Sequence, residues 1–103
     1  MRISKKDLET QVEILNEMTG HALKAWEKAD DGMKANVGTY VLDWAYGGVR
    51  LSQITGESGG QRDITGRATK TETYWRIQAF RNGLLALEFE PDNKAQALLA
   101  GSN

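Results

Sequence analysis

Two adjacent glycines, Gly47 and Gly48, separate two runs whose side chains alternate in the manner of β-strands. Asn36–Tyr46 precedes the pair and Val49–Thr55 follows it. The two-residue turn most common in hairpins needs a positive φ at both central positions, which glycine adopts without steric cost. The pair therefore predicts an antiparallel hairpin, in which Asn36–Tyr46 is a long central strand and Val49–Thr55 is the returning strand.

Apolar side chains recur at helical spacing before this hairpin. Leu8, Val12 and Leu15 lie one above another on a helix, and this stripe predicts a helix over Lys5–Thr19. Gly20 follows as a natural helix end, because glycine readily takes the left-handed conformation found there. The chain therefore begins with one amphipathic helix.

A second helix is predicted after the hairpin. The tetrapeptide Thr69-Lys70-Thr71-Glu72 matches a capping box, in which a threonine side chain accepts from the N3 amide. The helix is expected from Lys70 to about Glu88. Its wide apolar stripe is made by five side chains, namely Tyr74, Ile77, Phe80, Leu84 and Leu87.

The remaining turn signals complete an α+β fold. Asp30-Asp31-Gly32 predicts a turn, flanked by short strands near Leu23–Lys28 and Met33–Val37. The predicted order is α-β-β-β-α, a small antiparallel meander of about three strands with two helices on one face. Residues 1–103 are of a length typical of one domain, in which 91–103 form a frayed tail or a short terminal helix.

The segment Gly56–Lys70, GESGGQRDITGRATK, is the main candidate for a binding site. It holds four of the chain's eleven glycines together with Arg62 and Arg67. Long loops without structure of their own are often functional, and this one leads into a helix. Helix N-termini attract anions through their N–H groups, and arginines bind phosphate oxygens bidentately.

The anion hypothesis assigns binding to glycines, cations and helix-start amides. The candidate residues in this segment and at the start of the helix that follows it are Gly59, Gly60, Arg62, Arg67, Thr69, Lys70 and Thr71. The alternative is a solvated connecting loop whose arginines pair with nearby carboxylates. The spacing GxxxxGK[ST] is absent from the sequence, so a P-loop is not supported.

Aromatic side chains provide candidate stacking surfaces for a nucleobase. Tyr46 adjoins the glycine pair, and Trp75 lies beside Tyr74 but outside the apolar stripe of its helix. A base stacked on an aromatic ring contributes about 1–3 kcal/mol in single-strand binders. The alternative is packing, which is the expected role of Tyr40 and Trp44 on the central strand. For Trp75, a ligand or a second subunit is the better explanation.

The second helix carries a further polar set, Arg76, Arg81 and Asn82, which could face a ligand or a neighbouring subunit. The alternative is a solvated helix face on which Glu72 and Arg76 form an i,i+4 ion pair.

Catalysis finds little support in the sequence. The chain has no cysteine, and its one histidine, His21, has no serine motif near it. Asp43 lies on a mostly apolar strand, where we expect it to satisfy a loop amide or an arginine. The sequence therefore favours a protein that is not an enzyme and needs no metal or other cofactor.

Net charge and hydropathy limit the classes of partner that this chain is expected to bind. The formal net charge is −1, whereas nucleic-acid-binding domains are usually basic, so a nucleic-acid partner is disfavoured. No apolar run approaches the roughly 20 residues of a membrane span, and the N-terminus lacks the apolar core of a signal peptide. The expected location is the cytoplasm, and the modest core expected of so short a chain favours self-association.

Several short motifs resemble small proteins encoded by bacteriophages, among them the anti-Thoeris cyclic-ADP-ribose sponges. The resemblance covers roughly residues 36–85. Its motifs are Asn36-Val37-Gly38-Thr39-Tyr40, Ala45-Tyr46-Gly47-Gly48, Leu51, Gly59-Gly60, Thr69-Lys70, Tyr74 and Ala79-Phe80. The run RDITGRA departs from the more glycine-rich run expected there.

This resemblance implies a homo-oligomer that binds a cyclised ADP-ribose signal and does not cleave it. Some members of that family also hold cyclic oligonucleotides at separate sites. If the phage encodes this chain, it acts in the host cytoplasm. The positions that the resemblance marks for ligand contact are Gly59, Gly60, Lys70 and Tyr74.

Three functions therefore stand at the level of sequence. The first is sequestration of a cyclic nucleotide. The second is a protein-interaction module that docks on a host enzyme through Tyr74 and Trp75, since tryptophan and tyrosine dominate interface hot spots. The third is a single-stranded nucleic-acid binder, which the net charge disfavours.

Overall fold

The computed structural model describes residues 2–89, so the predicted tail over 91–103 lies outside the described residues. The described chain contains two helices and five strands. In order they are α1 (Lys5–Thr19), β1 (Trp26–Ala29), β2 (Gly32–Ala35), β3 (Tyr40–Ala45), β4 (Gly48–Ile54), β5 (Gln61–Asp63) and α2 (Lys70–Phe89).

The strands form two antiparallel sheets. β1 pairs with β2, and a separate three-stranded sheet has the order β3-β4-β5. The predicted α+β class and its antiparallel pairing are confirmed. The two short strands predicted on either side of the Asp30-Asp31-Gly32 turn are present as β1 and β2, but they form a sheet of their own instead of joining the meander, and β5 lies where no strand was predicted. All residues of β5 are exposed, so this strand carries no apolar alternation.

Both helices are set by local signals that the sequence displays. Ser4 caps α1, since its hydroxyl accepts from the Asp7 amide while the Asp7 carboxylate accepts from the Ser4 amide. Gly20 ends α1 in the left-handed conformation, with φ at 76°. α2 begins at Lys70 as predicted and continues to Phe89, one residue beyond the expected end.

The core lies between the two helices and one face of the three-stranded sheet. α1 packs on β3, α2 packs on β4, and the helices also contact each other. Their apolar stripes meet the sheet in one cluster, so both helices cover the same face, as predicted. The buried members are Ile3, Leu8, Val12, Leu15, Tyr40, Val49, Leu51 and Ile77.

The turn between β3 and β4 lies one residue earlier than predicted. Ala45 pairs with Gly48, so the two central turn residues are Tyr46 and Gly47. Gly47 supplies the positive φ, at 96°, while Gly48 belongs to β4. Gly48 meets a different requirement, because a Cβ there would lie 2.2 Å from the Ala68 carbonyl oxygen. Its place in the sequence therefore reflects the close approach of a distant segment.

The central strand is shorter than predicted. β3 begins at Tyr40, because the amide of Thr39 donates to the carbonyl of Asn36 and closes a turn over residues 36–39. Trp44, which we expected in the core, is 41% exposed. It lies near the end of β3, where the sheet has no further strand beside it within residues 2–89.

Asn16 of α1 closes part of that open edge. Its amide nitrogen donates to the Tyr40 carbonyl at 3.0 Å, and its side-chain oxygen accepts from the Tyr40 amide at 2.7 Å. Both groups are buried, and Asn16 itself is 1% exposed. One side chain thus makes the two hydrogen bonds that a neighbouring strand would otherwise make with Tyr40.

Candidate ligand-binding site

The segment Gly56–Lys70 carries structure of its own. β5 lies within it and pairs with β4, and Ala68 forms an isolated bridge with Val49. The amide of Val49 donates to the Ala68 carbonyl, and the amide of Ala68 donates to the Val49 carbonyl. The segment is therefore part of the sheet, which differs from the unstructured phosphate loop that its glycines suggested.

The two central glycines of the segment have structural roles. A Cβ on Gly59 would lie 2.8 Å from a ring carbon of Trp26, so the indole packs directly on the Gly59 backbone. The carbonyl of Gly60 accepts from the amide of Thr55 at 2.7 Å. The first contact connects the turn after β4 to the β1–β2 hairpin, and the second closes the turn itself.

Arg62 lies on β5 and contacts its neighbouring strand. Its Nε and Nη2 both donate to the Gln53 side-chain oxygen, at 2.9 and 2.7 Å. The pair is exposed, so the guanidinium retains contact with water. Arg62 faces the same side of the sheet as its register partner Gln53.

Arg67 is committed to the β3–β4 hairpin. Its Nη2 lies 3.0 Å from the Asp43 carboxylate, and its Nη1 donates to the backbone carbonyls of Asp43 and Gly48. Arg50 also donates to Asp43, and this hydrogen bond is the main reason that the pKa of Asp43 is lowered. Asp43 therefore satisfies arginines, as predicted, and Arg67 acts in part as a clamp on the hairpin.

The start of α2 presents a capped amide turn and two exposed side chains. The Thr69 hydroxyl accepts from the Glu72 amide and donates to the Glu72 carboxylate, so the predicted cap is present. Lys70 and Thr71 are exposed. The Glu72 carboxylate places a negative charge at the helix start, where a bound anion would also lie.

Tyr46 and the start of α2 lie at the same end of the sheet. Tyr46 is fully exposed, with a relative accessibility of 105% at the tip of the hairpin. The hairpin is held to the helix start by the Arg67 contact with Gly48 and by the Thr73 hydroxyl, which donates to the Val49 carbonyl. We call this region the hairpin–helix surface, defined by Tyr46, Arg67, Thr69, Lys70 and Thr71.

The aromatic pair on α2 points elsewhere. The rings of Tyr74 and Trp75 meet edge to face, with centroids 5.2 Å apart. Tyr74 packs on the core, whereas Trp75 is 56% exposed. Thr73 faces β4, and Trp75 follows it by about 200° around the helix, so the indole projects away from the sheet.

The structure therefore divides the predicted site into separate groups. Gly59, Gly60 and Arg62 lie near the far end of β4 from the hairpin–helix surface. Gln53 lies five positions after Gly48, a span of about 17 Å along β4. Trp75 forms a third group on the outer side of α2.

The polar set on α2 follows its alternative interpretation at Arg76, whereas Arg81 is half-buried against α1 and does not lie on a solvated face. Arg76 pairs with Glu72 at 3.6 Å and donates to the Thr65 carbonyl. Arg81 donates to the side chain of Gln11 on α1. These arginines connect α2 to its neighbours, and only Asn82 of this set is exposed without such a contact among the described residues.

A groove between α1 and β3 was not anticipated from the sequence. Its volume is about 380 Å³. Val12, Leu23, Leu42 and Trp44 supply apolar walls, and Lys5 and Glu13 lie among the charged lining residues. Asn16 closes one end of the groove. Its burial could have been predicted, because it lies four positions after Val12 on the buried stripe of α1.

Comparisons with protein-family models, with curated proteins and with solved structures each found no match to this chain. Among the described residues, neither helix combines the length and apolar character needed to cross a membrane. Within the same part of the chain, no group of three or more histidine, aspartate or glutamate side chains could hold a metal ion.

Proposed function

We propose that this chain is a non-catalytic binding protein that holds a nucleotide at the hairpin–helix surface. The observation that carries the proposal is Tyr46, an aromatic side chain fully exposed on a short turn at the end of the sheet where α2 begins. The two-residue turn fixes the position of the Tyr46 backbone and leaves both faces of its ring open to a stacking partner.

The phosphate part of the ligand would contact the start of α2. Lys70 is an exposed cation in the first turn of the helix, where the N–H groups and the helix dipole favour negative charge. Arg67 adds positive potential at this surface, although its ion pair with Asp43 neutralises much of it. Arg62 and the Gly59–Gly60 pair lie too far along β4 to share one small ligand with Lys70 in a single copy.

The resemblance to anti-Thoeris sponges suggests which nucleotide to test first. We propose a cyclic ADP-ribose type of signal, or a cyclic oligonucleotide, sequestered in the host cytoplasm by a homo-oligomer. Nanomolar sequestration corresponds to about −12 kcal/mol, which one stacked base and a few hydrogen bonds do not reach. A second subunit that closes over Tyr46 would supply the missing contacts.

Thermal unfolding of the purified chain with a panel of nucleotides tests this proposal. The panel contains cyclic ADP-ribose, ADP-ribose, NAD and cyclic dinucleotides. A ligand at 100 times its Kd stabilises the folded state by about 2.7 kcal/mol, or roughly 10–20 °C in Tm for a domain of this size. If no member of the panel raises Tm or gives heat in calorimetry, the proposal fails.

Two substitutions locate the site once a ligand is found. Tyr46→Ser removes the stacking ring and should weaken binding about 5- to 150-fold. Lys70→Ala removes a charge-assisted hydrogen bond and should weaken binding about 10- to 150-fold. Lys28→Ala, an exposed lysine on β1, is the matched control and should leave the affinity unchanged. Equal affinity in all three variants would place the ligand elsewhere.

A protein-docking function is the second candidate, and Trp75 favours it. An indole that is 56% exposed and braced by Tyr74 is typical of an interface anchor. Under this alternative the chain would form a stable complex with one host protein. Trp75→Ala would abolish that complex while Lys70→Ala would not, and no nucleotide would raise Tm. Strong, salt-sensitive binding of an oligonucleotide would instead revive the single-strand hypothesis.

A further inference from the structure

One edge of β3 carries backbone groups that lack a strand partner in the described chain. β3 is an outer strand in the order β3-β4-β5. Successive residues of an antiparallel strand direct their backbone groups to alternate sides. Since the N–H and C=O of Tyr40 point to Asn16, those of Leu42 and Trp44 point to the same outer side. Such an edge is a template for another strand.

The groove beside this edge has apolar walls, and charged side chains of α1 lie along it. Trp44, 41% exposed, and Leu23, 52% exposed, leave apolar surface in contact with water. The Lys5 ammonium lies 5.7 Å from the centre of the Trp44 ring. Asn16 contacts Tyr40 at the opposite end, so α1 runs antiparallel to β3, with Glu9 and Glu13 between these two contacts.

We propose that a second copy of this chain covers the edge, with the β3 strands of the two copies antiparallel about a two-fold axis at Asp43. In this register, Leu42 of one copy lies opposite Trp44 of the other. Each such pair makes both of its backbone hydrogen bonds. Asn16 fixes the register, because Tyr40 already has its partners and cannot join the new ladder.

Charge complementarity points to a second copy as the occupant. The two-fold axis reverses α1 in the partner, so the Lys5 end of one copy faces the Glu13 end of the other. Opposite charges therefore meet twice, as an isologous interface requires. Asp43 faces Asp43 of the other copy, and each carboxylate is paired with Arg50 and Arg67, which offsets their repulsion.

This interface deepens the oligomer in the function proposed above, but it uses no contact with a nucleotide. The two proposals therefore fail separately. A dimer that binds no nucleotide would overturn only the ligand, whereas nucleotide binding by a protein that stays monomeric would leave the ligand and overturn this interface together with the proposed homo-oligomer.

Sedimentation velocity of the full chain between about 1 and 100 µM measures the association, since a small interface is expected to have a micromolar Kd. Trp44→Lys places a charge in the paired edge and should weaken the dimer at least tenfold. Asn82→Lys introduces the same charge at an exposed position of α2, a helix that packs on β4, and should leave the dimer unchanged. A monomer at roughly 100 µM, or equal dimerisation of both variants, would overturn the proposal.

Cysteine pairing tests the register without relying on Trp44. The register places Val41 opposite Ala45 of the partner, as a pair without direct hydrogen bonds whose Cα atoms lie about 4.5 Å apart, within reach of a disulfide. The chain has no native cysteine to interfere. A mixture of Val41→Cys and Ala45→Cys chains should form a mixed disulfide on mild oxidation. A yield no higher than with Val41→Cys and Tyr46→Cys would refute this register.

Discussion

Replacing Asn16 by alanine should destabilise the fold far more than the loss of one polar side chain on a helix normally does. The variant leaves the N–H and C=O of Tyr40 without partners at a buried position. Each buried group left unsatisfied costs about 1–3 kcal/mol, so the expected loss for the two groups is about 2–6 kcal/mol. A domain of this size has a stability of roughly 5–15 kcal/mol, so a third or more could be lost.

Urea unfolding followed by circular dichroism measures this loss. With an m value of about 1–2 kcal/mol/M, a loss of 3 kcal/mol lowers the midpoint by about 1.5–3 M. Asn82→Ala is the matched control, since Asn82 is exposed on α2, and it should change stability by less than about 0.5 kcal/mol. The reasoning is refuted if the two variants unfold at the same urea concentration.

The Asn16→Asp variant distinguishes the contributions of the two hydrogen bonds to stability. A carboxylate can accept from the Tyr40 amide but has no proton for the Tyr40 carbonyl, and its charge would be buried. At neutral pH this variant should be at least as unstable as Asn16→Ala. Protonation restores a donor, so its deficit relative to the native chain should shrink as the pH falls toward 4. A deficit that does not change with pH would contradict this account.

Two further predictions concern the hairpin and its ion pairs. Gly48→Ala brings a Cβ to within 2.2 Å of a backbone oxygen at a positive φ, and should cost at least about 2 kcal/mol in urea unfolding. Gly47→Ala, at a positive φ in open space, should cost less; the reverse order would show that the Ala68 approach is not restrictive. The lowered pKa of Asp43 gives stability that is complete above its unfolded value, about 3.9, and is lost as the pH falls through the lower folded value. Asp43→Asn should reduce the fall in stability between neutral and acid pH. If the fall is unchanged, other carboxylates cause it.

The helices could be predicted from the sequence because their signals are local. The whole of α1 follows from signals close together in the sequence. Its apolar stripe is Leu8, Val12 and Leu15, and its two ends are at Ser4 and Gly20. The same holds for the Thr69 cap of α2. Side-chain periodicity and capping need no knowledge of distant contacts, so both helix starts were placed correctly.

The sheet depended on contacts between segments that are distant in sequence. Gly48 serves the approach of Ala68, so the adjacent glycines did not mark the two central turn positions. β5 has three exposed residues, and only its pairing with β4 makes it a strand. Periodicity within one segment cannot report either feature.

The candidate site was predicted only in part, because sequence does not show which charges are already paired. Arg67 finds Asp43, a residue 24 positions earlier, and Arg62 finds Gln53. Their guanidinium groups make hydrogen bonds within the fold and are only in part available to a ligand. Tyr46 and Lys70 remain exposed at one end of the sheet, and whether they bind a ligand stays a prediction.

The contact of Trp26 with Gly59 has a consequence for how the molecule loses its order. The β1–β2 hairpin is mostly exposed, and an isolated two-stranded hairpin is marginally stable in water. Its order therefore depends on this indole and on the hydrogen bond from the Ala35 amide to the Glu57 carbonyl. The hairpin is expected to open as one cooperative unit, with amide protons that exchange well before those of β4. A partner that binds the turn around Gly59 would slow this exchange. The exchange rate of the β1–β2 hairpin would therefore report binding at that turn.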